Sequence, residues 1–184
     1  MTQQQPLTHE QIRNFTPEPN CLEGKTILVT GAGAGIGRVA ALTYAKYGAT
    51  VLLLGKTLSK LEAVYDEIEA AGGKQPAIMP MNLETASYSD MQQLANLIQT
   101  EIGELHGVLH NAGILGALTP LEMYDIVTFE QVMRVNTTAT FMLTQVLMPL
   151  VKAVENGSFV FTSSSVGTHP RAFWGAYALS KQAV

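Results

Sequence analysis

Residues 25–37 read KTILVTGAGAGIG. The first six form a short run of β-branched and apolar side chains, which favours a strand, and glycines end it at once. Helix formers follow over 36–47 and stop at Gly48, a suitable C-terminal cap. A glycine-rich turn between a strand and a helix lets the backbone approach a phosphate, while the helix start offers unpaired N–H groups and positive dipole. Spacing decides which nucleotide loop this is. G-x-G-x-x-G fails, because its last position falls on Ile36 counting from Gly31 and on Arg38 counting from Gly33. A phosphate-binding P-loop fails too: Gly24-Lys25-Thr26 and Gly55-Lys56-Thr57 have its ending, but Pro19 and Thr50 stand where its first glycine belongs. T-G-x-x-x-G-x-G fits, on Thr30, Gly31, Gly35 and Gly37. Taken alone, the loop also reads as a tight turn with close helix packing.

The strand–helix unit recurs outward from this stretch. Residues 50–54 precede a helical pattern over 57–71, and 77–81 precede one over 85–101. A fourth strand is expected at 105–110, a loop with Gly113, Gly116 and Pro120 follows, and 128–155 reads as one long helix before a fifth strand at 157–163. Strands apolar along their whole length are buried on both faces, as in a parallel sheet covered by helices. The sequence therefore predicts a doubly wound α/β fold with helices on both faces. Right-handed crossovers and one reversal of strand order place the ligand crevice at the carboxyl ends of the first and fourth strands. Chemistry is expected after Thr30, Leu54, Met81, His110 and Ser163. Residues 1–23, with three prolines and little periodicity, read as an arm, and 24–184 as a single domain.

Composition narrows the function. The chain has 184 residues, 47% hydrophobic and 14% charged, and one cysteine, Cys21, which excludes a disordered chain and a disulfide scaffold. A formal charge of -4 with no basic run gives nucleic acid no electrostatic footprint. A membrane helix needs about 18 apolar residues in a row, and the best stretch, 141–151, is broken by Thr144, Gln145 and Pro149. Residues 1–20 are polar and lack the apolar core of a secretory signal, so a cytoplasmic location is expected.

Further motifs follow in order. Asn82-Leu83 ends the third strand, Asn111-Ala112-Gly113 the fourth, Asn136 lies in the long helix, Ser163-Ser164-Ser165-Val166-Gly167 closes the fifth strand, and Tyr177 and Lys181 form Y-x-x-x-K. With Thr30–Gly37 at the head, this series resembles the short-chain dehydrogenase/reductase family in its common, non-extended form, from about Gly24 to the last residue. The resemblance implies a Rossmann-like domain and a nicotinamide cofactor held by Thr30, Gly31, Gly35, Ile36 and Gly37. It puts Asn82 and Leu83 near the adenine, where the family usually has an acidic residue, and Asn111, Ala112 and Gly113 along the same cofactor. It also implies an alcohol or carbonyl substrate, with Asn136, Ser164, Tyr177 and Lys181 as the catalytic set.

The residue chemistry agrees. Tyr177 and Lys181 are four apart and share one helix face, so the ammonium can stabilise the phenolate of a tyrosine acting as general acid or base. A serine hydroxyl at the neighbouring strand end can bind the substrate oxygen as charge develops there. Alignment of S-S-x-x-G on Gly167 selects Ser164, with Ser165 as the fallback; serines that merely turn the chain are the competing reading. By resemblance Tyr177 and Lys181 also bind the cofactor, Lys181 at the nicotinamide ribose, and Asn136 anchors a water that relays protons to Tyr177. A helix-interior asparagine can instead satisfy a backbone carbonyl.

Cofactor choice turns on the end of the second strand. An acidic side chain there binds the 2'-hydroxyl of NAD, but this chain has Gly55, followed by Lys56, Thr57 and Ser59, which favours NADP(H) over NAD(H). The second customary cation, before the middle glycine, is replaced by Ala34, and a solvated loop lysine is the competing reading of Lys56. His9, His106, His110 and His169 show no ligand spacing, so no metal is expected. Phe173 and Trp174 suit either a substrate wall or the start of the helix. The resemblance implies a homodimer or homotetramer packed through the helices of Asn136 and Tyr177. A catalytically silent cofactor-binding module and a nucleotide-sugar epimerase are the alternatives; the epimerase loop G-x-x-G-x-x-G fails at Ala34. Because the chain ends three residues after Lys181, the sequence expectation is a domain incomplete at its C-terminus, with the last strands missing and little turnover of its own.

Overall fold

The computed structural model describes residues 8–184. A short helix, α1 (His9–Arg13), precedes five strands: β1 (Thr26–Thr30), β2 (Thr50–Gly55), β3 (Ala77–Pro80), β4 (Gly107–His110) and β5 (Ser158–Phe161). They form one parallel sheet in the order β3-β2-β1-β4-β5. The order reverses between β1 and β4, and their carboxyl ends diverge into the expected crevice. Seven further helices are α2 (Gly35–Lys46), α3 (Leu58–Ala70), α4 (Tyr88–Leu97), α5 (Ile126–Met133), α6 (Ala139–Lys152), α7 (Ser165–Thr168) and α8 (Gly175–Ala183).

Alternation along the strands builds two cores. Leu28, Leu52 and Leu54 face α4 and α6, meeting Met91, Leu94, Leu143 and Leu147. Val29, Val51 and Leu53 face the other way, meeting Ala41 and Ala45 of α2 and Leu61, Val64 and Ile68 of α3. Each fully buried leucine contributes about 1.5–3 kcal/mol, enough in sum to fix strand register and hence the loops at the strand ends. Ser87 and Asp90 form a reciprocal capping box that starts α4, and Asp125 caps α5 through Thr128 N–H at 2.8 Å.

Three features differ from the sequence expectation. The long helix is interrupted by a π turn at Arg134–Thr138, between α5 and α6, and a second π turn, Ile98–Ile102, ends α4. Among the described residues β5 pairs with β4 alone, and Val160 is 51% exposed. It also ends at Phe161, so Ser163 and Ser164 stand beyond the pleat and strand alternation does not set their directions. Of the stretch read as an arm, residues 1–7 lie outside the described residues. Leu22 donates its N–H to Tyr47 O at 3.0 Å and packs on the α2 side of the core. Among the described residues, no helix is long and apolar enough to cross a membrane, and no three potential metal ligands converge.

Candidate active site

The loop after β1 is built around close approach. Gly31 adopts φ +67°, and a Cβ there would stand 3.1 Å from the Ala112 Cα. At Gly37 a Cβ would overlap the Gly31 carbonyl oxygen and lie 2.7 Å from Asn111 Nδ2, so the first turn of α2 sits against the loop as only glycine allows. Thr30 is turned inward. Its hydroxyl donates to Leu109 O at 3.3 Å and accepts from the N–H groups of Asn111 and Ala112 at 2.9 and 3.0 Å. It therefore holds the loop after β4 rather than facing the crevice, while Ile36 points to solvent, 68% exposed.

A cleft of about 330 Å³ opens at these strand ends. Of the expected cofactor residues, Gly31, Lys56, Asn82, Leu83, Asn111, Ala112 and Gly113 line it; Thr30, Gly35, Ile36, Gly37, Tyr177 and Lys181 do not. Sequence reasoning missed Lys60, Glu84, Ile114 and Val135, which also form its wall. Lys60 is a second cationic residue in the cleft wall, where Ala34 offers none. It lies across from Gly33, where a Cβ would come 2.9 Å from Lys60 Cβ, and it follows Lys56 by four residues, a spacing legible in the sequence. Among the described residues neither lysine joins an ion pair; Arg38, by contrast, is bound to Glu67. Asn82 accepts the Glu84 N–H through Oδ1 at 3.1 Å, and its amide N–H₂ has no partner among the described residues.

The expected catalytic residues stand at the far end, beyond Gly113. Asn136 Oδ1 accepts the Ile114 N–H at 2.8 Å, and Nδ2 donates to Ile114 O and to Ser180 Oγ, each at 2.9 Å. Both Nδ2 hydrogens are spent. A relay water anchored at this residue would therefore use its main-chain carbonyl or the spare lone pair of Oδ1. Asn136 lies in the π turn and is almost fully buried. Lys181 is buried, which lowers its pKa, and Nζ donates to Thr162 O at 2.6 Å. Thr162 Oγ1 donates to Asn111 Oδ1 at 3.4 Å, and Asn111 Nδ2 to Thr30 O at 3.4 Å, so a polar seam crosses the ends of β1, β4 and β5. A Cβ on Gly113 would lie 3.2 Å from Asn136 Oδ1 and 3.6 Å from Lys181 Nζ, which marks Gly113 as the junction of cleft and catalytic end.

The serines separate by their bonds. Ser163 Oγ donates to Lys181 O at 3.0 Å and is committed to α8. Ser165 begins α7 and is exposed. Ser164 is half-buried, and its hydroxyl has no partner among the described residues. Gly167 lets α7 touch α8, since a Cβ there would meet Lys181 C and O at 2.8 Å. Lys181 Nζ lies 5.8 Å from the Tyr177 ring centre, and Trp174 packs on that ring at 6.0 Å. Phe173, at φ +72°, instead borders a separate apolar cleft behind α8.

This combination of glycine loop, crevice and Tyr–Lys helix defines a nicotinamide-type oxidoreductase fold. The model of the short chain dehydrogenase family matches residues 25–184, and the chain belongs to that family. It is 49% identical over 168 residues to the uncharacterized oxidoreductase YciK of Escherichia coli strain K12, covering 91% of this chain and 67% of that one. A short chain dehydrogenase from Escherichia coli CFT073 complexed with NADPH is similar at a TM-score of 0.89 and 51% identity, over 91% of this chain and 70% of that one. One from Shigella flexneri 2a complexed with NADP gives 0.88 and 49%, over 90% and 70%. The chain spans only part of the length of its curated relatives, 67% of one, 52% of another and 36% of a third.

Proposed function

We propose that the chain serves an NADP(H)-dependent oxidoreductase that interconverts an alcohol and a carbonyl. One observation carries this reading: the cleft that starts at the glycine loop ends at Gly113, where Asn136 and Lys181 converge. The residues fit a dinucleotide. The glycine cradle excludes side chains, the end of β2 carries no carboxylate, and Lys56 and Lys60 flank the cleft. The NADP and NADPH complexes of the relatives support the same cofactor.

When bound, NADP(H) supplies the hydride to the substrate carbon or accepts it. Tyr177 gives its phenolic proton to the substrate oxygen in reduction and takes it back in oxidation. The free Ser164 hydroxyl donates to that same oxygen. Lys181, with its ammonium partly desolvated, favours the phenolate and reaches toward the ribose hydroxyls. Asn136 holds the Gly113–Ile114 wall in place. A cytoplasmic homodimer or homotetramer accords with the family resemblance and with apolar Phe141 and Leu179, 66% and 56% exposed on α6 and α8; light scattering that finds only monomer in the intact protein would remove the assembly.

The test is nicotinamide absorbance with a panel of carbonyls, on wild type and Tyr177→Phe. Loss of the general acid is expected to lower turnover by about 10²–10⁴-fold with cofactor affinity unchanged. Equal turnover by both proteins would reject Tyr177 as the acid. Cofactor binding without turnover of any substrate would instead favour a silent module.

A further inference from the structure

Arg134 opens the π turn two residues before Asn136. Its guanidinium donates from Nε to Glu84 O at 3.2 Å and from Nη2 to Ala86 O, with Nη1 3.2 Å from Met142 Sδ. Both carbonyls belong to the loop after β3, which carries Asn82, Leu83 and Glu84 on the cleft wall. The loop's own bonds converge on Asn82, which accepts from the N–H groups of Glu84, Thr85 and Ala86 at 3.1, 3.1 and 2.8 Å, and they leave the Glu84 and Ala86 carbonyls to Arg134. Next in the turn, Val135 lines the cleft and Asn136 takes both backbone groups of Ile114. Of three consecutive residues in one turn, two thus hold different parts of the cleft and the third forms its wall.

We propose that Arg134 is a positioning residue for the cofactor: it fixes the 82–86 loop at the adenosine end and ties it to the turn that carries Asn136. The proposal rests on reading the cleft as an NADP(H) site. A guanidinium suits the task because it is always charged and presents several donors in a rigid fork, so one side chain reaches two carbonyls. Among the described residues it joins no ion pair, so its donors go to these neutral acceptors. A lysine keeps the charge but not the fork, because its three donors radiate from one nitrogen.

The experiment compares wild type, Arg134→Lys and Arg134→Met in the intact protein. Fluorescence titration with NADPH and calorimetric titration with adenosine-2'-phosphate, which probes the adenosine half alone, are paired with hydrogen exchange of the cofactor-free proteins. In Arg134→Met both ligands are expected to bind about tenfold more weakly, with Arg134→Lys in between. Exchange should rise in the peptide spanning 82–87, and kcat at saturating NADPH should stay within about twofold of wild type. Wild type that binds neither ligand would overturn the NADP(H) reading itself. Wild type that binds both, with Arg134→Met unchanged, would overturn only the role of Arg134. So would exchange rising across the whole chain while kcat and affinity fall together, in Arg134→Lys as much as in Arg134→Met.

Discussion

His110, the residue before Asn111, is buried against the Phe161 ring, with centres 4.9 Å apart and planes 14° from parallel. Its Nε2 lies 3.0 Å from Thr144 Oγ1. That hydroxyl already donates to Thr140 O at 2.7 Å, so it accepts from His110, which assigns the neutral ring its Nε2–H tautomer. Burial pushes the imidazole down from 6.5 to about 4. Between these values the unfolded chain binds a proton that the folded chain refuses, so stability is complete above the unfolded pKa and is lost as pH falls toward the folded one. Urea unfolding near pH 7.5 and about pH 5 should show a loss of about 2 kcal/mol from this group. His110→Phe keeps the stack and leaves the Thr144 hydrogen satisfied, so its stability should fall less over the same interval. An identical fall in the variant would reject the assignment. The sequence shows His110 only as a histidine without ligand spacing; what buries it comes from β5 and α6, far along the chain.

At the scale of elements, much was legible. The β1–glycine–α2 unit, the repeating strand–helix alternation and the Tyr177–Lys181 pairing are local patterns, and local patterns survive in sequence. The π turn was not. It inserts one residue while Val132, Val135, Ala139, Leu143 and Leu147 keep nearly helical apolar spacing, so the periodicity over 128–155 looks continuous. Two neighbouring residues of the π turn test its energetics in opposite directions. Asn136→Ala removes three hydrogen bonds and strands both backbone groups of Ile114, and should cost about 2–4 kcal/mol. Thr137 has a buried hydroxyl with no partner among the described residues, so Thr137→Val should be neutral or slightly stabilising. Chemical denaturation of both variants decides; equal destabilisation would mean that packing of the turn, not its polar bonds, sets the cost.

For the whole molecule, the formal charge of -4 and the character of the cleft point in opposite directions. The fold gathers Lys56, from the end of β2, and Lys60, from the first turn of α3, against the glycine loop, and Glu84 is the one acidic residue in the cleft wall. Net charge thus says little about the local field; topology decides which charges meet. A ligand bound only by the folded state raises stability by an amount set by its concentration relative to its Kd, about 2.7 kcal/mol at a hundredfold excess. For a protein of about 150–250 residues that is a rise in Tm of roughly 5–10 °C. If the extra phosphate of NADPH is held by Lys56 and Lys60, with no carboxylate at the end of β2 to repel it, NADPH should raise Tm more than an equal concentration of NADH. Lys56→Glu places a carboxylate where a 2'-phosphate would be repelled and a 2'-hydroxyl bound, so it should narrow or invert that difference. Thermal melts of the intact protein and the variant with each cofactor measure it. A larger shift with NADH in wild type would overturn the preference for NADP(H). An undiminished difference in Lys56→Glu would instead move the phosphate away from Lys56 and toward Lys60, whose charge would then have to carry the discrimination alone.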